Sequence, residues 1–395
     1  MTTFSDLGVS APVAKALARR QYHAPFPIQR LVVPDALAGR DVLARSHTGS
    51  GKTLVFGVAI VERLDPSAPR PGALILVPTR ELAAQVTEEI TLVAAAQGLR
   101  AAAVYGGVSL PDQAHRAAKA HILVATPGRL QDMLERRLIS LQGVHILVLD
   151  EADRMLDMGF QPQVDRIVAR IKKDRQTMFF SATLDGEVGR IARAYTRDAV
   201  LHEIRSTHQT VEEAEHRFVA VTSGDKVSKL IDLLRDEVGT ALVFVRTKRG
   251  ADRLVHRLAQ KKVGAVAMHG DLTQAARQSA LERLRSGRAR ILVATDVAAR
   301  GLDLDHITHV INFDPPQDDK AYVHRVGRTA RAGRAGTGTT LVLPDQQDDV
   351  SRMAARLALG DEFQRDGMVL AAPRTVFSSH KGRRSMMRPR PRRRV

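Results

Sequence analysis

The chain has no cysteine and no tryptophan among its 395 residues, and aromatic residues of all kinds make up 4%. Without cysteine there are no disulfides and no thiolate metal ligands, which fits a reducing compartment, here the cytoplasm. So few rings argue against base stacking as the main way of holding a nucleic acid, and for contacts to its backbone. Long apolar runs are missing too. None nears the roughly 20 residues that a membrane helix needs, so no membrane partner is expected. The N-terminus, MTTFSDLGVSAPV, lacks a basic region followed by an apolar core, and no signal peptide is expected. Acidic residues are in deficit, 43 Asp and Glu against 60 Lys and Arg, a net +17. That balance points to a polyanion, nucleic acid before acidic lipid.

What is present begins with Thr48-Gly49-Ser50-Gly51-Lys52-Thr53. It follows the apolar run Val42-Leu43-Ala44 and opens another, Leu54 to Ile60. Small residues let backbone N–H groups approach an anion, Lys52 supplies a point charge to outer phosphates, and Thr53 offers a hydroxyl to Mg2+. The apolar runs 73–77, 121–125, 145–149 and 177–180 read as buried parallel strands, each followed by polar and then helical patterns. A second set, 241–245, 265–268, 290–294 and 309–313, repeats the scheme. The chain therefore reads as two α/β domains, residues 1–205 and 216–360, joined by a polar linker over 206–215. A last helix is expected from about Asp345, with that residue as its cap, Asp348 and Asp349 in its first turn, and Val350, Met353 and Leu357 on its apolar face. Residues 361–395 are expected to form a basic tail, disordered from about 373.

Asp150-Glu151-Ala152-Asp153 closes the strand ending at Leu149. Carboxyl ends of parallel strands face the ligand crevice, where Asp150 could hold Mg2+ and Glu151 could orient and deprotonate an attacking water. Ser181 and Thr183 close another strand, placed to bond those carboxylates and couple the domains. In His324-Arg325-Val326-Gly327-Arg328-Thr329-Ala330-Arg331, Arg328 and Arg331 share one face of a helical turn and suit the charge of a transferring phosphoryl group. A phosphate loop in one domain and arginines in the other would make hydrolysis depend on closure.

Taken together, residues 4 to 340 resemble the DEAD-box ATP-dependent RNA helicases. The resemblance implies two tandem RecA-like domains, each a mostly parallel sheet flanked by helices, with ATP and Mg2+ in the cleft. It implies that Gln29, in a segment running from Gln21 to Gln29, reads the adenine edge and that Phe4 stacks on the base, with Asp303 near the ribose. It places RNA, held by its backbone without sequence specificity, on Thr79, Arg80, Gly107, Thr126, Arg129, Arg246, Gln274, Arg277 and Thr295. Asp153 and His324 join Ser181 and Thr183 as interdomain couplers. His269 belongs to a family motif and is expected to make hydrogen bonds rather than bind metal. Departures are Ser46 for the usual Ala, Gln21 for Gly, Phe26 for Thr, Leu284 for Phe and Ala330 for Gly; none removes a catalytic group. The expected protein is a cytoplasmic monomer, with ribosomal or RNA-decay proteins as further partners. Two other readings stay open, an RNA clamp that uses ATP only as a latch and a DNA helicase or translocase on the same architecture.

The segment from Pro373 to Val395 carries nine Lys/Arg and no acid. Its removal should weaken RNA binding and flatten the dependence of affinity on salt, while much of the ATPase survives. An RNA titration over a salt series decides this; an unchanged slope and affinity would remove the tail from RNA binding.

Overall fold

The computed structural model describes residues 2–46, 50–203, 214–236, 239–299, 307–329, 336–365 and 367–371. The first domain is built on seven strands: β1 (Val42–Arg45), β2 (Ala73–Leu76), β3 (Ala101–Val104), β4 (Ile122–Ala125), β5 (Ile146–Leu149), β6 (Gln176–Ser181) and β7 (Val200–Glu203). The second has six: β8 (Ala214–Ala220), β9 (Thr240–Phe244), β10 (Ala265–Met268), β11 (Ile291–Ala294), β12 (Ile307–Asn312) and β13 (Gly336–Val342). Every strand pair is parallel. The orders are β3-β4-β2-β5-β6-β1-β7 and β10-β11-β9-β12-β13-β8. Set side by side, β3, β4, β2, β5, β6 and β1 correspond to β10, β11, β9, β12, β13 and β8. The two halves are thus one architecture used twice, with β7 added to the first.

Both faces of each sheet are covered, which explains why the central strands read as unbroken apolar runs. Along β2 and its neighbours, Ile75, Val124, Val148 and Phe180 enter one core, while Leu74, Leu123, Leu147 and Phe179 enter the other. The second sheet repeats this, with Val243 and Val293 on one side and Leu242 and Leu292 on the other.

Four strands carry no such signature. β3 is almost all alanine, β7 lies at an edge, and β8 alternates. β13, Gly-Thr-Gly-Thr-Thr-Leu-Val, is buried throughout. Its glycine at 338 is required by contact, since an added Cβ would fall 3.0 Å from Val326. Of the expected linker, 206–213 lies outside the described residues, and Ala214 and Glu215 already belong to β8.

The C-terminal end differs from expectation. Pro344–Gln346 forms one 3-10 turn, and the helix begins only at Gln347 with Gln346 before it, so Asp345 caps nothing. Asp348 and Asp349 do occupy its first turn, and Val350 and Met353 are buried. The boundary drawn at 360 is also too early. A further helix, Gly360–Arg365, places Phe363 at 0% exposure against Phe218, ring centroids 5.3 Å apart. Phe218 in turn stacks on Tyr322 at 6.2 Å. Apolar side chains 363, 368 and 370 thus close a cluster that a solvated tail could not form. The expected disordered stretch from about 373 lies outside the described residues.

Phe363→Ala should therefore destabilise the second domain by about 3–5 kcal/mol. Urea unfolding of the full chain measures it; a loss under about 1 kcal/mol would mean that the helix is peripheral.

Candidate active site

β1 lies between β6 and β7, and its carboxyl end leads into the phosphate loop. Ser46 N–H donates to Ser181 O at 3.0 Å, so the loop starts from a fixed point. His47, Thr48 and Gly49 lie outside the described residues. Gly51 has φ 86°, and a Cβ there would fall 2.8 Å from Gln29 Nε2 and 2.9 Å from Phe26 Cδ2, so both backbone and space demand glycine. The helix Lys52–Arg63 follows, its free N–H groups pointing back at the loop. Lys52 is buried, 3.3 Å from Ser46 O and 3.8 Å from Asp150 Oδ1. Thr53 sits beside it, half-buried.

Gln29 is fully buried. It accepts from Phe26 N–H at 2.8 Å and donates to Gly51 O at 2.9 Å, joining the segment that precedes its helix to the loop. Gln21, standing for the family's glycine, takes φ 64°, the left-handed conformation that glycine adopts without strain. Phe4 is 3% exposed and packs in the first core; as placed, its ring offers no free face for a base.

Asp150, at the end of β5, is fully enclosed. Burial pushes its carboxyl up to about 6, against the pull of Lys52. A carboxylate with so little water is a site that a cation would relieve. Glu151 takes φ 51° and ψ 47°, a left-handed conformation that a non-glycine residue keeps only where its surroundings over-determine it. Burial would raise its carboxyl as well, but Arg154, Lys52 and Arg328 outweigh burial and hold it below the usual range. Arg154 does this at contact, Nη1 to Oε2, 2.6 Å. It escaped the sequence analysis, although Glu and Arg three apart in a helix are neighbours. Asp153 accepts from Arg154 N–H through Oδ1, and its Oδ2 is buried without a partner.

The second domain closes over this cluster. Arg328 is 3% exposed, and its charge reaches Glu151. His324 is held down to about 4 by burial and by Arg154, with Asp153 opposing. Lys320 lies 3.9 Å from Asp157. Arg331 and Asp303 fall outside the described residues. Arg325 turns inward instead, gripping Asp296 with two bonds of 2.6 and 2.7 Å. The expected bonds from Ser181 and Thr183 to the carboxylates are absent among the described residues. Ser181 Oγ accepts from Thr183 N–H at 3.3 Å, so the pair closes its own turn.

The residues assigned to RNA gather at the carboxyl ends of β2, β3 and β4 and of their counterparts β9, β10 and β11. Thr79 caps its helix by accepting from Leu82 N–H. Arg80 is exposed, its guanidinium lying over Gly106 and Gly107. Arg129 donates to Val108 O. Thr126 and Thr295 are nearly covered, and Arg246 is open. Gln274 approaches Gly107 across the domain boundary. Arg277 departs from the expectation. It is buried and bonds Glu81 of the first domain at 2.7 Å, since closure brings that carboxylate opposite it. His269 meets Asp252 at 2.8 Å. No cluster of three or more potential metal-binding side chains occurs among the described residues.

Residues 26–191 match the family model described as DEAD/DEAH box helicase, and residues 225–333 match that of the helicase conserved C-terminal domain. The DEAD-box ATP-dependent RNA helicase CshA of Geobacillus kaustophilus is 42% identical over 348 residues, 87% of this chain and 74% of that protein. CshA of Bacillus subtilis is 39% identical over 349 residues, 87% and 70%. Among solved structures, S. cerevisiae Dbp5 bound to RNA and ADP BeF3 superposes with a TM-score of 0.83 at 29% identity, covering 91% of this chain and 94% of that one. Mss116p bound to ssRNA and AMP-PNP gives 0.81 at 26%, covering 90% and 78%.

The charge on His324 gives a test. As placed here, burial and Arg154 hold its ring down to about 4 from the ordinary 6.5, and parting of the domains would return it toward that value. Acidification between those values therefore favours opening. Interdomain distances between two fluorophores, with nucleotide and RNA present, should lengthen over that range. His324→Gln should blunt the response, which separates it from the titration of Asp150. A wild-type distance that ignores pH would refute the coupling.

Proposed function

The chain belongs to the DEAD-box family of ATP-dependent RNA helicases, and from that membership we propose how its own residues divide the work. It is an ATPase with two RecA-like domains. In the proposed reading Lys52 and the loop N–H groups take the outer phosphates of ATP, and Gln29 takes the adenine. Thr53 and Asp150 are the residues that would hold Mg2+. When bound, that ion would neutralise charge on the phosphate oxygens. The enclosed carboxyl of Asp150 beside a hydroxyl fits such a cation.

Glu151 accepts the proton of the attacking water. Its carboxyl is kept ionised by Arg154, so it is ready as a base while still tethered. Arg328, with Arg331, meets the charge that develops on the transferring group. The observation that carries this reading is the reach of Arg328 across the cleft to Glu151. The base is in one domain and the arginine in the other, so turnover requires the closed form. RNA lies along the carboxyl ends of β2, β3, β4, β9, β10 and β11. Closure bends one strand and separates a short duplex locally; phosphate release lets the domains part. No helix among the described residues is long and apolar enough to cross a membrane. A cytoplasmic monomer that remodels ribonucleoproteins, with ribosomal or RNA-decay partners, is the setting we propose.

RNA-stimulated ATP turnover tests the assignment. Glu151→Gln should lower it about 10²–10⁴-fold, and Arg328→Ala about 10³-fold or more, with RNA affinity retained in both. Intact turnover in either variant removes that residue from the reaction. Competition by a matched DNA strand tests the RNA reading, because only RNA presents 2′-hydroxyls.

A further inference from the structure

The helix Lys248–Gln260 follows β9. It packs through Ala251, Leu254 and Leu258 on one face of the second sheet. The helix Gln274–Arg285, which carries the contact to Glu81, lies on the opposite face. The two helices thus cover opposite faces of the second sheet, and the first takes no part in the Arg277–Glu81 contact. Its outer side is strongly basic: residues 248–262 hold six Lys/Arg against one Asp. That acid, Asp252, is turned to His269, and Asp271 takes Lys248 at 2.6 Å. Arg253, Arg257, Lys261 and Lys262 are exposed and have no acidic partner among the described residues.

This is not a general property of the position. The counterpart in the first domain, Arg80–Ala94 after β2, carries one Arg and the acids Glu81, Glu88 and Glu89. Nor is the arrangement scattered. Arg249, Arg253 and Arg257 follow at intervals of four along one ridge of the helix, with a rise of about 6 Å per step, and Lys261 continues the spacing at its C-cap. That is comparable with the separation of successive phosphates on one strand. The ridge starts where Arg246 leaves β9 and runs about 20 Å along the 13-residue helix, away from the proposed RNA contacts.

We infer that the ridge Arg249-Arg253-Arg257-Lys261 is a second phosphate-binding surface, which takes the RNA strand after it leaves the cleft. The inference rests on the RNA reading of the cleft and adds a surface to it. Arginine suits the task, because its planar fork binds phosphate oxygens in pairs. Bases are not read there: the surface is mainly charge, and its one ring, His256, is already bonded to Gln260.

The test uses the full chain with Arg253→Gln, Arg257→Gln and Lys261→Gln combined, all exposed positions outside the catalytic cluster. Two single-stranded RNAs are compared, one that only fills the cleft and one extended beyond it. Affinity for the extended strand should fall several-fold. Its log–log salt slope should become shallower by about 2, from roughly 0.7 per lost phosphate contact. Affinity for the short strand and its maximal stimulation of the ATPase should stay as in the wild type. Unchanged binding of the extended strand overturns the inference, and so does an equal loss with both strands. Loss of polyglutamate binding with RNA binding intact also overturns it and assigns the face to an acidic protein. If the short strand fails to stimulate the wild type at all, the RNA reading of the cleft is what fails.

Discussion

Five ionisable groups packed without open water decide the character of this molecule. Lys52, Asp150, Glu151, Arg154 and Arg328 are each at or below 6% exposure, and they come from both domains. A lone buried charge is prohibitive, and removing one partner of a buried pair costs about 3–5 kcal/mol. Here signs alternate, so each group is tolerable because of its neighbours. The alternation is incomplete: burial pushes the Asp150 carboxyl up to about 6, and Asp153 keeps an orphaned oxygen. The cluster is adequate as a resting arrangement and completed only by what binds to it. That suits a site that must hold a charged substrate briefly and then release it.

The two sheets place this cluster by a shared plan. Six strands of each follow the same order, yet the corresponding ends have diverged in task. In the first domain the end of β1 holds the phosphate loop and the end of β5 the carboxylates; in the second, no such loop follows β8, and the segment between β12 and β13 supplies the arginine. Three of the other ends, β2, β3 and β4, match β9, β10 and β11 in position. In the proposed reading the repeat is kept here, since a strand of nearly uniform phosphates can be held by similar groups twice over.

Much of this is legible in the sequence, for a stated physical reason. Strands buried on both faces must be apolar at every position, so 73–77 or 145–149 stand out without alignment. β13 hides because it is built mostly of threonine and glycine, with Thr340 Oγ1 accepting from the distant Asn312 Nδ2. Its glycine is set by Val326, on the helix preceding it. The phosphate loop and acidic tetrad are local and visible. The Arg277–Glu81 bond joins residues 196 apart and arises only when the domains meet. Motif position suggested an RNA contact for Arg277, and burial redirected it.

Gln29 has a consequence for selectivity. Its side-chain amide already bridges the backbone ahead of its own helix and the carbonyl of Gly51. A base recognised by this amide must share it with the loop that grips the phosphates. Discrimination between purines would then be written into the stiffness of the loop as much as into the fit of the ring. A wrong nucleotide would be rejected by leaving its own phosphates loosely held.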